Sequence, residues 1–141
     1  MGSNFEIGKA VKLQDGTDAT IIACGLEVAE AIRAAQMLAD EGIQVRVLDM
    51  FTIKPVDREA VIAAARETGA IVTAENHNVV GGLGAAVAKV VCEECPVPMG
   101  RIGIQDIFGE VGFTPLLMER FGLTASDIAA EIKRVIEKKA K

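Results

Sequence analysis

The stretch from Ala70 to Val91, AIVTAENHNVVGGLGAAVAKVV, limits what this chain can fold into more than any other. It predicts a short apolar strand over Ala70–Ala74 and a polar corner at Glu75-Asn76-His77-Asn78. A glycine cluster, Gly81-Gly82-Leu83-Gly84, then opens an Ala/Val-rich helix. A strand that passes through a Gly-rich turn to a helix start commonly builds a binding edge in α/β proteins. The first N–H groups of a helix are unpaired there and carry partial positive charge. The chain's one histidine, His77, lies in this corner.

Similar units surround it. Ala19 to Cys24 (ATIIAC) is a nearly continuous apolar run, as expected of a strand buried on both faces. Gly25-Leu26-Glu27 leads into a helix through Asp40, with an apolar stripe of Val28, Ala31, Ile32, Ala35, Leu38 and Ala39, and Gly42 at its C-cap. Ile43 to Met50 alternates like a strand, Pro55 ends the extended chain, and Asp57 is placed to N-cap a helix that runs to Thr68 before Gly69. The helix of the Ala70–Val91 stretch must stop at Cys95-Pro96-Val97-Pro98. A short strand over Arg101–Gln105, an irregular loop and a short helix from Thr114-Pro115 follow. Thr124 and Asp127 resemble a capping box for a last helix, Ala125–Lys139. Ala10–Leu13 forms a first strand, joined to the second by so short a turn that it could lie antiparallel at an edge. Alternating strands and helices imply right-handed crossovers and a mostly parallel sheet between two helical layers. One domain over residues 1–141 is expected, with 1–8 as a flexible lead-in.

Composition narrows the chemistry. Half the residues are hydrophobic but only 4% are aromatic, so the core must be built from Ile, Val, Leu and Ala. A formal charge of −5 argues against a nucleic-acid footprint, which needs a basic face. The chain has neither a run of about 18 apolar residues nor a signal-like start. Its three cysteines make no disulfide framework. A cytoplasmic location is expected.

The glycines miss the dinucleotide fingerprint, because only the first two of Gly82-Leu83-Gly84-Ala85-Ala86-Val87 are in register and no Walker lysine follows. They suit a tight turn and close packing of the helix on the sheet or on a partner subunit. His77 alone cannot make a multi-histidine metal site, and a triad could borrow only Glu75. Cys92-Glu93-Glu94-Cys95 sits at a helix C-terminus with two carboxylates between, which disfavours a thiolate; Cys92 reads as packing. Asp49 and Asp106 suggest the acidic pocket of a receiver domain, but Cys24-Gly25-Leu26 fills the place its first acidic pair needs. No catalytic, cofactor-binding or metal-binding residue emerges.

Five pieces in order, ATIIACGLEV (19–28), VLDMFTIKPVD (47–57), VTAENHNVVGGLG (72–84), FGEVG (108–112) and FGLT (121–124), carry a resemblance. From about Phe5 to Ile136 the chain resembles the C-terminal domain of transketolase-like, thiamine-diphosphate-dependent enzymes. Its style is similar to the split transketolases, whose C-terminal polypeptide carries a pyrimidine-binding domain before this one. Deoxyxylulose-phosphate synthases and the β subunits of 2-oxoacid dehydrogenases have related terminal domains. The resemblance implies a three-layer α/β/α domain with a five-stranded, mostly parallel mixed sheet and one antiparallel edge strand. It also implies that thiamine diphosphate and its divalent metal lie between two other domains. A pyrophosphate-binding domain holds the metal through G-D-G…N, and a pyrimidine-binding domain supplies the activating glutamate. This sequence contains no G-D-G.

The chain is therefore expected to bind no cofactor and to be inactive alone. Its expected role is non-catalytic and dimer-organising, with regulatory contacts left open, within a transferase that moves two-carbon ketol units between sugar phosphates. The pyrimidine- and pyrophosphate-binding domains are its expected partners, in a homodimeric assembly. The expected interdomain or subunit interface comprises Gly25, Glu27, Glu75, Asn76, His77, Asn78, Gly81, Gly82 and Gly84. A bulky residue at Gly82 should weaken assembly and spare the isolated fold. Val111 stands where the family pattern F-G-E-S-G has serine. A second reading is a free-standing α/β ligand-binding or regulatory module that uses the same Gly25 and Glu75–Gly84 edge.

Overall fold

A computed structural model describes residues 4–139. Five strands, β1 (Val11–Gln14), β2 (Ala19–Ala23), β3 (Val45–Asp49), β4 (Ile71–Asn78) and β5 (Met99–Ile104), form one sheet in the order β1-β3-β2-β4-β5. β1 runs antiparallel to β3 at the edge, with Val11 opposite Asp49, and all other pairs are parallel. The expected mixed sheet with one antiparallel edge strand is what is observed.

The helices are α1 (Glu27–Asp40), α2 (Arg58–Thr68), α3 (Leu83–Glu94), α4 (Thr114–Arg120) and α5 (Ala125–Lys139). The chain leaves β2 through α1 to reach β3 on one side. It then reverses, through α2 to β4 and through α3 to β5. Right-handed crossovers in opposite directions must lie on opposite faces. Accordingly, Ile21, Val47 and Val72 pack with α1 and α5, whereas Ile22, Leu48 and Ile71 pack with α2 and α3. This double covering is why β2 reads as an unbroken apolar run: every one of its residues is buried.

Local signals are satisfied where the sequence placed them. The Asp57 carboxylate accepts from Ala60 N–H at 3.1 Å and from Ala10 N–H at 2.8 Å, so it caps α2 and ties down the chain before β1. Gly69 is left-handed at the end of α2 (φ 70°). Thr124 and Asp127 cap each other's backbone N–H groups at 2.9 and 3.3 Å.

Three expectations change. The strand expected to end at Ala74 continues to Asn78, because Glu75 finds buried donors and Asn78 pairs with Ile104. The inward face of α1 is Glu27, Ala31, Ala34, Ala35 and Leu38, while Ile32 is exposed; small alanines let the helix lie close on the sheet and α5. Cys92 is exposed rather than packed, and it is Cys95 that rests against the core beside α3. Cys95 follows Val87 and Val91 at helical spacing, which puts Cys92 on the outer face.

Candidate functional site at the carboxyl edge of the sheet

Strand order reverses between β2 and β4, since the connection from β2 runs to one side and that from β4 to the other. Crevices at such points, beyond the carboxyl ends of the strands, are where open α/β sheets hold ligands. Cys24 and Gly25 stand at one lip and Glu75, Asn76 and His77 at the other. The lips are close: a Cβ on Gly25 would lie 3.0 Å from Asn76 Oδ1.

The centre of the corner is Glu75, 1% exposed. Its Oε1 accepts from Leu83 N–H at 2.9 Å and its Oε2 from Gly84 N–H at 2.7 Å. The carboxylate therefore occupies the start of α3, where a phosphate would otherwise sit, and meets the positive end of the helix dipole. Glycines make the space. A Cβ on Gly82 would stand 1.9 Å from Glu75 Oε1, and one on Gly103 of β5 would stand 2.7 Å from Val79 Cγ1 and 3.3 Å from Glu75 Cγ. A Cβ on Gly84 would press on Thr73 Oγ1 at 2.9 Å. The expectation that bulk at Gly82 spares the isolated fold is thus reversed, because it would strike an interior carboxylate.

The neighbours divide by exposure. Asn76, His77 and Gly81 are exposed and Asn78 is half-buried. His77 Nδ1 lies 2.8 Å from the Asn78 carbonyl oxygen, which can only accept, so that nitrogen carries the proton. Its 3.7 Å separation from Glu75 Oε1 is beyond hydrogen-bond reach, and no Glu75–His77 relay is formed. Asn78 donates to Asp106 Oδ1 at 3.0 Å and accepts from Val80 N–H at 2.8 Å, fastening the loop before α3 to the loop after β5.

Glu27 is a second buried carboxylate, fully enclosed at the start of α1. Neither oxygen has a donor among the described residues. Burial pushes its carboxyl up to about 7, and the negative charges of Glu30 and Asp127 add to the rise. Cys24 is likewise pushed up to about 11, by burial first and then by Glu75, Asp49 and Glu27. A thiol held neutral in this way is not a nucleophile at physiological pH. Sequence reasoning missed Gly103 and the nearness of Cys24 to three carboxylates, because both depend on which strands are neighbours. The two glycines at Gly100 and Gly103 in a short strand were the available hint of close approach.

The rest of this edge carries exposed apolar side chains. Every residue from Gln105 to Leu116 is exposed, α4 buries none of its residues, and Phe108 is 97% exposed. A groove of about 430 Å³ runs between α4 and the first turns of α1, lined by Leu26, Ala29, Pro115 and Met118 and by the polar Glu30, Arg33, Thr114, Glu119 and Thr124. Among the described residues no His/Cys/Asp/Glu group could hold a metal ion, and no helix is long and apolar enough to cross a membrane.

The family model "Transketolase, C-terminal domain" matches residues 8–128. The 6-deoxy-6-sulfo-D-fructose transketolase subunit SqwH of Clostridium sp. (strain MSTE9) is 53% identical over 135 residues, covering 96% of this chain and 42% of that protein. The 1-deoxy-D-xylulose-5-phosphate synthase of Syntrophotalea carbinolica is 44% identical over 131 residues, covering 92% of this chain and 21% of that one. A solved structure, "Split gene transketolase, inactive beta4 tetramer", superposes with a TM-score of 0.91 at 49% identity, covering 96% of this chain and 44% of that chain. The chain thus spans less than half the length of these relatives. With the sheet order, the corner and these matches in agreement, the chain belongs to the transketolase C-terminal domain family.

Proposed function

We propose that this chain is the non-catalytic, assembly-forming C-terminal domain of a split-type transketolase, an enzyme that moves two-carbon ketol units between sugar phosphates with thiamine diphosphate and a divalent metal. The observation that carries the reading is the seat of Glu75. The helix start that could take a diphosphate already holds an internal carboxylate on both of its first N–H groups. A cofactor diphosphate there would meet a buried negative charge, so the residues present do not fit that group. The cofactor is assigned to the pyrimidine- and pyrophosphate-binding domains, which this chain would join in a dimeric assembly.

The interface residues then fall into two layers. Gly25, Asn76, His77, Asn78 and Gly81 stand where a neighbouring domain can touch them, and Glu27, Glu75, Gly82 and Gly84 support them from beneath. The split transketolase reading is favoured over a deoxyxylulose-phosphate synthase by identity, 53% against 44%.

The test replaces the matched section of the Clostridium protein with this chain and supplies the other subunit of that enzyme, thiamine diphosphate and Mg²⁺. Ketol transfer by the chimera, with none by the 141-residue chain alone, is the expected result. A folded but inactive chimera, or turnover by the isolated chain, would overturn the reading.

A further inference from the structure

The exposed apolar side chains are not spread evenly. Leu26 follows β2, Val80 follows β4, and Phe108, Val111 and Phe113 follow β5, all of them exposed. Phe5 and Ile7 precede β1, which runs antiparallel, so they too lie at the carboxyl end of the parallel strands. Leu116 on α4 is exposed as well, and Pro115 and Met118 of the same helix lie beside the first turns of α1. The opposite end is polar and closed on itself: Lys139 reaches the carbonyl oxygens of Asp18 and Thr68, and Arg46 is paired with Asp15 and Glu67. Exposed apolar side chains concentrated at one end in this way mark an interaction surface.

From this arrangement we infer that the apolar end, centred on Phe108, Val111, Phe113 and Leu116, is the docking face for the domain that precedes this one in the longer relatives. The inference rests on the proposed placement of the chain within such an enzyme. Two observations select that occupant over a second copy of this domain. The matched family is a C-terminal domain, and the chain accounts for only 42% of the Clostridium protein and 44% of the split-gene chain, so in them a larger body comes before it. The segment through which that body would connect, Asn4–Ala10, is anchored at this same end. Gly8 N–H donates to Thr52 Oγ1 at 3.0 Å, Phe5 meets the ring of Phe51 edge-on at 4.8 Å, and Ala10 is held by Asp57.

The rim adds a charge requirement. Asp106, Glu110 and Glu119 border the patch, with Arg120 paired to Glu110 at 3.4 Å. The matching face is therefore apolar at its centre and basic at its margin. Val111 in place of the family serine enlarges the apolar centre.

The test compares amide hydrogen exchange of residues 107–116 in the 141-residue chain and in the chimera described above. Exchange in the chimera is expected to be slowed tenfold or more over this segment, with Ile32, Gln36 and Met37 on the outer face of α1 unchanged. Equal exchange in both proteins would overturn the inference, and so would protection that grows with concentration in the isolated chain, since that assigns the face to a second copy. An inactive chimera that still protects the segment refutes the proposed function and leaves the docking face standing; an active chimera with an unprotected segment does the reverse. A second measurement needs no chimera. Phe108→Asp with Phe113→Asp should leave the melting temperature of the isolated chain unchanged, and a fall of more than about 5 °C would show that the segment folds onto its own domain and overturn the inference.

Discussion

The corner between β4 and α3 and the segment from Gln105 to Leu116 leave the same end of the same sheet, yet polarity and burial are exchanged between them. The corner is rich in polar side chains and buries its carboxylate; the segment carries Phe108, Val111 and Phe113 and exposes all three. A buried charge is tolerable when every donor it needs is fixed in place, and α3 presents two such donors to Glu75. An exposed phenylalanine has no comparable compensation inside the domain. The carboxylate of the corner is satisfied within the domain, whereas the apolar segment leaves its rings in solvent.

The comparison breaks first at Gly82. Gly82→Val puts a side chain into the space of Glu75 Oε1, and should destabilise the domain by about 3 kcal/mol or more in chemical denaturation. A variant of wild-type stability would mean the carboxylate can leave its seat cheaply. Glu75→Ala leaves two buried N–H groups unpaired and should cost about 3 kcal/mol, with Glu75→Gln costing less because its amide oxygen still accepts one bond. Equal losses for the two variants would show that the start of α3 does not depend on the carboxylate.

Glu27 sharpens the comparison as a buried carboxylate with no donor. Its carboxyl is raised from 4.5 to about 7, so the folded state favours the protonated form. Its contribution is fully present below pH 4.5, declines as the unfolded chain ionises first, and is lost by about pH 7. The linked loss is on the order of 3 kcal/mol. Glu27→Gln should therefore raise the melting temperature at pH 8, and should flatten the decline in stability between pH 4.5 and 7; an unchanged pH profile would show that Glu27 is solvated or paired in solution. The smallest effect belongs to the apolar segment. Phe108→Ser should alter the isolated domain's stability by no more than about 0.5 kcal/mol, because the ring touches little of its own chain.

Much of this fold could be read from the residues. The unbroken apolar run of β2 required cover on both faces, and the caps at Asp57, Gly69 and Thr124–Asp127 act within a few residues of themselves. Those signals are local, so no knowledge of neighbours was needed. The outer limits of β4 and the inward face of α1 were not legible for the opposite reason. Polar Glu75 looked like a turn until α3 supplied its donors, and Ile32 looked like core until the close approach of α1 turned alanines inward. The candidate edge was legible as a place, from its glycines and polar cluster. What each glycine makes room for was not, since the atoms concerned belong to other strands.

The sequence by itself determined the α/β class and the family, left open the antiparallel edge that the resemblance implied, and marked out a candidate corner, because periodicity, capping residues and ordered motifs are properties of neighbouring positions along the chain. Only the tertiary structure decided that Glu75 closes the helix start from within, that Glu27 is enclosed without a donor, and that exposed apolar side chains gather at one end of the sheet. Those outcomes depend on strand order and helix approach, which bring together residues that no local pattern connects.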